Sequence, residues 1–190
     1  MNKFTKKLLA ITLCAAMAVG TALSTSAMSA RNTYLKISNV KHANACMNVY
    51  GNNVVSNNRN VCIYTNDGTD AQRWELVQDT RRDCFFIKSK INSQYALNVD
   101  RRSGQNWNCT IYILEGNEQD AAITTYISYV QNDGTYGSTA FALKNYSDMI
   151  LKADVTSTSY NNLDNIHWVS KSASSDPTNN PFRYHWNIGY

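Results

Sequence analysis

The chain has little charge for its length: Asp, Glu, Lys and Arg make up 17% of 190 residues, with a net excess of +4. Lys3, Lys6 and Lys7 carry three of those charges. What remains is too small to mark a nucleic-acid or anionic-membrane surface. Histidine is scarce, with only His42, His167 and His185. They are scattered, no Cys-x-x-Cys or His-Glu-x-x-His spacing accompanies them, and they read as surface residues, so neither a metal site nor a cofactor is expected. Asp67, Asp70, Asp79 and Asp83 cluster around one turn, where a solvated acidic stretch is the ordinary reading. No nucleophile, base and orienting group fall at motif spacing, so no enzyme is expected. Proline is nearly absent, at Pro177 and Pro181 alone, and no segment has a convincing helical period.

One long apolar run exists, LLAITLCAAMAVGTAL, preceded by the three lysines and followed by the small residues STSAMSA. That pattern is a secretory signal peptide over residues 1–30, cut within Ala27 to Ala30. Nothing later approaches the roughly 18 apolar residues of a membrane span, so a secreted product with no span after signal removal is expected. Residues 31–190 are one domain's worth of chain. Removal of Cys14 with the signal leaves Cys46, Cys62, Cys84 and Cys109. An even count in an exported chain permits two disulfides. Cys46 and Cys62 fall on facing strands and the outward face, which suggests that pair and then Cys84–Cys109; buried free thiols are the alternative, since Cys109 falls on an inward position.

Short alternating runs rich in Asn, Ser, Thr and Tyr, separated by polar turns, predict twelve strands: 34–40, 45–50, 60–65, 72–78, 84–91, 95–100, 109–114, 124–130, 138–145, 149–155, 165–170 and 182–188. They fall into three sets of four. Met47-Asn48-Val49 recurs as Leu97-Asn98-Val99 and then Leu151-Lys152-Ala153, and Asn60-Val61-Cys62-Ile63-Tyr64 recurs as Asn108-Cys109-Thr110-Ile111-Tyr112. A unit of about 50 residues that cannot bury its own apolar face must close against its copies. The expected fold is all-β, a β-trefoil of three four-stranded repeats at about 34–82, 84–131 and 136–190.

The first repeat, ACMNVYGNNVVSNNRNVCIYTNDGTDAQRWEL, resembles one repeat of the ricin B-type lectins, whose trefoil units share a Gln-x-Trp motif. Gln72 and Trp74 supply it here, Tyr184-His185-Trp186 stands in its place in the third repeat, and Thr124-Thr125-Tyr126 in the second. The resemblance implies a shallow sugar pocket per repeat: an acidic residue takes the ring hydroxyls, an aromatic stacks on the apolar face, and an amide completes the contacts. Carried over, the acidic position falls on Asn48, Asn98 and Lys152, the stacking aromatic on Tyr64, Tyr112 and approximately Trp168. Asn donates and accepts but lacks the charge-assisted bond of Asp, so the pockets are degenerate.

Read from the residues alone, Gln72, Trp74 and Trp186 suit a structural role, because Leu76 two places after Trp74 marks one buried face. Tyr64 and Tyr112 alternate with Ile63 and Ile111 and should face outward; Asn48 and Asn98 alternate with Met47, Val49, Leu97 and Val99 and share that face. The recurrence of the same Asn and Tyr in two repeats is what points to binding. The expected activity is recognition of glycans or glycoconjugates; the second reading is a protein-interaction or toxin-accessory subunit whose sugar pockets have decayed.

Overall fold

The computed structural model describes residues 34–51, 53–103, 107–130, 137–146, 148–171 and 181–189; the side chains of 103, 125–130, 137, 138 and 181 are outside that description. The signal segment lies outside the described residues, as does the side chain of Tyr126. Tyr34–Tyr190 forms one compact unit.

Twelve strands occur among the described residues: β1 (Lys36–Asn39), β2 (Ala45–Val49), β3 (Arg59–Thr65), β4 (Trp74–Asp79), β5 (Cys84–Ser89), β6 (Tyr95–Asp100), β7 (Trp107–Ile113), β8 (Ile123–Val130), β9 (Gly137–Leu143), β10 (Met149–Ala153), β11 (Ile166–Ser170) and β12 (His185–Gly189). Two four-residue helical turns, α1 (Glu118–Ala121) and α2 (Pro181–Tyr184), lead into β8 and β12. A 3₁₀ turn at Asp70–Gln72 leads into β4 in the same way.

Six strands make a closed barrel. β4 pairs β5, β5 pairs β8, β8 pairs β9, β9 pairs β12 and β12 pairs β1. The Leu35–Trp74 bridge joins the chain ahead of β1 to β4 and closes the ring. The remaining strands form three hairpins, β2–β3, β6–β7 and β10–β11. A lone hairpin is marginal in water. Here each pairs with the next: Asn60 with Thr110, Asn108 with His167, and Asn165 with Cys62. The result is a β-trefoil with repeats β1–β4, β5–β8 and β9–β12.

The hydrophobic core runs through all three repeats and holds Trp74, Trp168 and Trp186, each fully buried. Where the hairpins meet, three equivalent asparagines bridge them side chain to side chain. The Asn108 amide donates to Asn60 Oδ1 at 2.7 Å and the Asn165 amide to Asn108 Oδ1 at 3.1 Å. Polar groups buried at such a junction need partners from neighbouring repeats, and these bonds supply them.

The expected disulfides are corrected. Cys46, Cys62, Cys84 and Cys109 are free, buried thiols. Cys46 faces Tyr64 across the β2–β3 hairpin, whereas Cys62 faces Asn48, two residues along. That diagonal offset exceeds the reach of a disulfide. Cys84 and Cys109 belong to separate apolar clusters. Burial pushes the Cys46 thiol up to about 11 and also raises the Cys109 thiol well above its usual value. Both therefore stay protonated and unreactive near neutral pH. The histidines differ from expectation too: His167 and His185 are buried, at 6% and 0% exposure.

Candidate functional site

The hairpin registers define equivalent positions in the three repeats. Asn48 faces Cys62, Asn98 faces Thr110, and Lys152 faces His167. Two residues away along the same hairpins, Cys46 faces Tyr64, Ala96 faces Tyr112, and Ile150 faces Val169. The first two repeats thus bring an Asn and a Tyr together on one face, diagonally across the hairpin. The third offers Lys152 and Val169. Trp168 occupies the core position of Ile63 and Ile111, fully buried, with its indole N–H donating to the Asn98 carbonyl at 3.3 Å, so it cannot stack on a ligand.

The second repeat has an open pocket of about 430 Å³. Asn98, Asp100, Arg102 and Tyr112 line it, joined by Asn117, Asp120 and, from the first repeat's hairpin, Asn58. Asn98 is only 4% exposed, and its amide nitrogen has no partner in the structure. An unsatisfied buried donor is costly unless a ligand or water meets it. The Arg102 guanidinium donates to Asp100 through Nε at 2.8 Å and Nη2 at 2.7 Å, and holds the carboxyl below the usual carboxylate range. Asp120 accepts from the Tyr146 hydroxyl at 3.0 Å and from Arg101 at 3.3 Å. The Arg101 guanidinium lies 5.3 Å from the Tyr146 ring centre. Burial and the Asp120 contact raise the Tyr146 hydroxyl. The pocket therefore offers an aromatic face, an amide and two carboxyl acceptors held in place by their own hydrogen bonds.

Asp100 and Asp120 were missed by sequence reasoning. Asp100 follows Asn98 by two residues, which places it on the same strand face. Asp120 was hidden by register. Ile123 opens β8 and faces Phe85, just as Trp74 opens β4 and bridges Leu35, so Ile123, not Tyr126, takes the place of Trp74 in the second repeat. Counting back three residues puts Asp120 where the first repeat has Ala71.

In the first repeat the Asn48 amide is engaged, donating to the Val49 carbonyl at 3.0 Å with Cys62 Sγ 3.9 Å away. Tyr64 is half-buried beside it. Gln72 is 1% exposed and bridges the loop ahead of β4: its amide donates to the Thr65 carbonyl at 2.9 Å and its oxygen accepts the Asp67 N–H at 3.0 Å. The Trp74 indole donates to the Met47 carbonyl at 3.1 Å, tying barrel to hairpin. In the third repeat Lys152 Nζ donates to Asp154 at 3.0 Å, and His167 Nδ1 lies 3.4 Å from the same carboxylate. That network fills the position with an internal ion pair, Lys152–Asp154, and the His167 ring against it.

No family model matches the chain, and no curated protein matches its sequence. Solved structures do share its fold. The designed threefold symmetric protein ThreeFoil aligns at a TM-score of 0.63 and 18% identity, over 83% of this chain and 98% of that one. The Macrolepiota procera ricin B-like lectin, solved with lactose, aligns at 0.57 and 10% identity, over 83% and 94%. The chain has a ricin B-like β-trefoil fold. A mosquitocidal holotoxin also aligns, at 0.64 and 18% identity, over 84% of this chain but only 17% of the holotoxin. Among the described residues no helix is long and apolar enough to cross a membrane, and no cluster of three or more His, Cys, Asp or Glu is arranged to hold a metal ion.

Proposed function

We propose that the chain is an exported, non-enzymatic, lectin-like carbohydrate-binding protein with degenerate sugar sites in its first two repeats, at Asn48/Tyr64 and Asn98/Tyr112. One observation carries the reading: the second-repeat pocket sets the Tyr112 ring beside the unpartnered Asn98 amide and the Asp100 and Asp120 carboxylates. A hexose needs that combination, a flat π surface for its axial C–H groups and fixed donors and acceptors for its vicinal hydroxyls. Single shallow sites bind weakly, and two sites on one molecule gain strength by engaging a glycan surface together.

Glycan-array binding of the purified protein, run beside the Tyr64→Ala/Tyr112→Ala double variant, tests this. Binding that is lost in the variant supports the assignment; binding that survives removal of both rings defeats it. A second reading, a toxin-accessory subunit with decayed sugar pockets, draws on the holotoxin alignment, where the fold is a small part of a longer chain. A protein silent on the array favours that alternative.

A further inference from the structure

Two of the large apolar side chains most exposed in the structure are Tyr50 at 46% and Leu163 at 52%. Leu163 also has a left-handed backbone, with φ of 75°. Leucine is disfavoured there because its Cβ crowds the neighbouring peptide. Hydrogen bonds pin the turn in place. The Leu163 N–H donates to the Ile63 carbonyl at 2.8 Å, the Ile63 N–H donates to the Asp164 carbonyl at 2.8 Å, and the Thr65 N–H donates to the Asn162 side chain at 2.8 Å.

Two features of this turn recur one repeat on. The Ile113 N–H donates to the Asn57 side chain at 3.1 Å, and the next residue, Asn58, is left-handed with φ of 63°. Asn58 is therefore the threefold equivalent of Leu163, and Asn58 forms one wall of the second-repeat pocket. Leu163 holds the matching place beside Tyr64. Tyr50, two residues after Asn48, is likewise the equivalent of Asp100, and Ala71 of Asp120. The polar wall of the second pocket is thus replaced in the first repeat by leucine, tyrosine and alanine. The Arg59 guanidinium backs Tyr50, 5.4 Å from its ring centre, while Nε donates to the Tyr50 carbonyl at 2.6 Å.

We infer that the two sites differ in ligand class: the first-repeat site takes a saccharide bearing an apolar substituent such as an N-acetyl group, and Leu163 determines that preference. The inference rests on the sugar-binding reading above. Tyr64 supplies the stacking face, and Leu163 covers the substituent's methyl group, which an unsubstituted hexose lacks. The second site, walled by Asn58, Asp100 and Asp120, has hydrogen-bond partners for hydroxyls in those places.

The test uses the full chain carrying Tyr112→Ala, which silences the second site, titrated with N-acetylglucosamine, N-acetylgalactosamine, glucose and galactose and followed by amide chemical shifts. The N-acetyl sugars should bind about fourfold or more tightly than their parents, the effect of burying one methyl group. Leu163→Asn should bring that ratio near one without lowering the thermal midpoint, because asparagine tolerates the left-handed backbone. Leu163→Gly, which also suits that backbone, should do the same. A ratio unmoved by both substitutions, or equal binding before them, overturns this inference alone. Failure of the unsubstituted protein to bind any of the four sugars overturns the sugar reading and this inference with it.

Discussion

Replacing Gln72 with leucine separates a structural clamp from a ligand contact at the first-repeat site. The side chain keeps its approximate volume but loses two hydrogen bonds, to the Thr65 carbonyl at 2.9 Å and from the Asp67 N–H at 3.0 Å. Each such bond contributes about 0.5–1.5 kcal/mol net, because water replaces part of what is lost. Thr65 and Asp67 are themselves exposed, so water reaches both orphaned groups and the expected loss is about 1–3 kcal/mol. In a domain of this size that lowers the melting midpoint by about 3–10 °C. Circular dichroism melts would measure it, and the titration described for the first-repeat site would report sugar affinity on the same sample. The clamp account expects the midpoint to fall while affinity, compared well below the melt, changes less than about threefold. A midpoint shift below about 1 °C together with a tenfold or greater loss of affinity would falsify it and place Gln72 on the ligand.

A small apolar cavity of about 40 Å³ lies among Leu76, Phe85, Ile87, Ile123 and Phe141, where the second repeat has Ile123 in the place of Trp74. At about 24 cal/mol per Å³, filling it gains at most about 1 kcal/mol, so Ile123→Phe should raise the urea midpoint slightly; a destabilisation beyond about 1 kcal/mol shows the site cannot accept the ring. His167 has its pKa held below the usual 6.5, chiefly by burial and also by Lys152, while Asp154 opposes the shift. A folded pKa below the unfolded one means that the unfolded chain takes up protons first, so this stability is complete above about pH 6.5 and is lost as pH falls below it. His167→Gln should therefore flatten the fall in melting midpoint between pH 7 and 5.5, and a variant that keeps the wild-type slope removes His167 as the cause.

The strand pattern was legible because alternation in the sequence and the pleat of a strand have the same period. Residues such as Met47, Val49, Ile63 and Leu97 announce a buried face before any partner is known. The near-repetition of Met47-Asn48-Val49 and of Asn60 to Tyr64 carried the threefold architecture in the same way. Position within the hairpins was less legible. Trp168 looked like a sugar platform by rough spacing, and only its pairing with Leu151 shows it in the core series of Ile63 and Ile111. The cysteines were misjudged for the same reason, since facing strands do not fix which residues face each other.

Alternation and repetition along the chain were enough to determine an all-β trefoil and to single out Asn48, Tyr64, Asn98 and Tyr112, because both signals are local and survive without knowledge of contacts. Register between strands and contacts between repeats were settled only in three dimensions. Pairing of each hairpin with the next brings Asn58 from one repeat to the pocket of the next and sets Leu163 beside Tyr64, about 100 residues earlier in the chain. The register of β8 puts Asp120 in the place that Ala71 holds in the first repeat. Those juxtapositions depend on how three weakly similar units close on each other, and they decide what each pocket can hold.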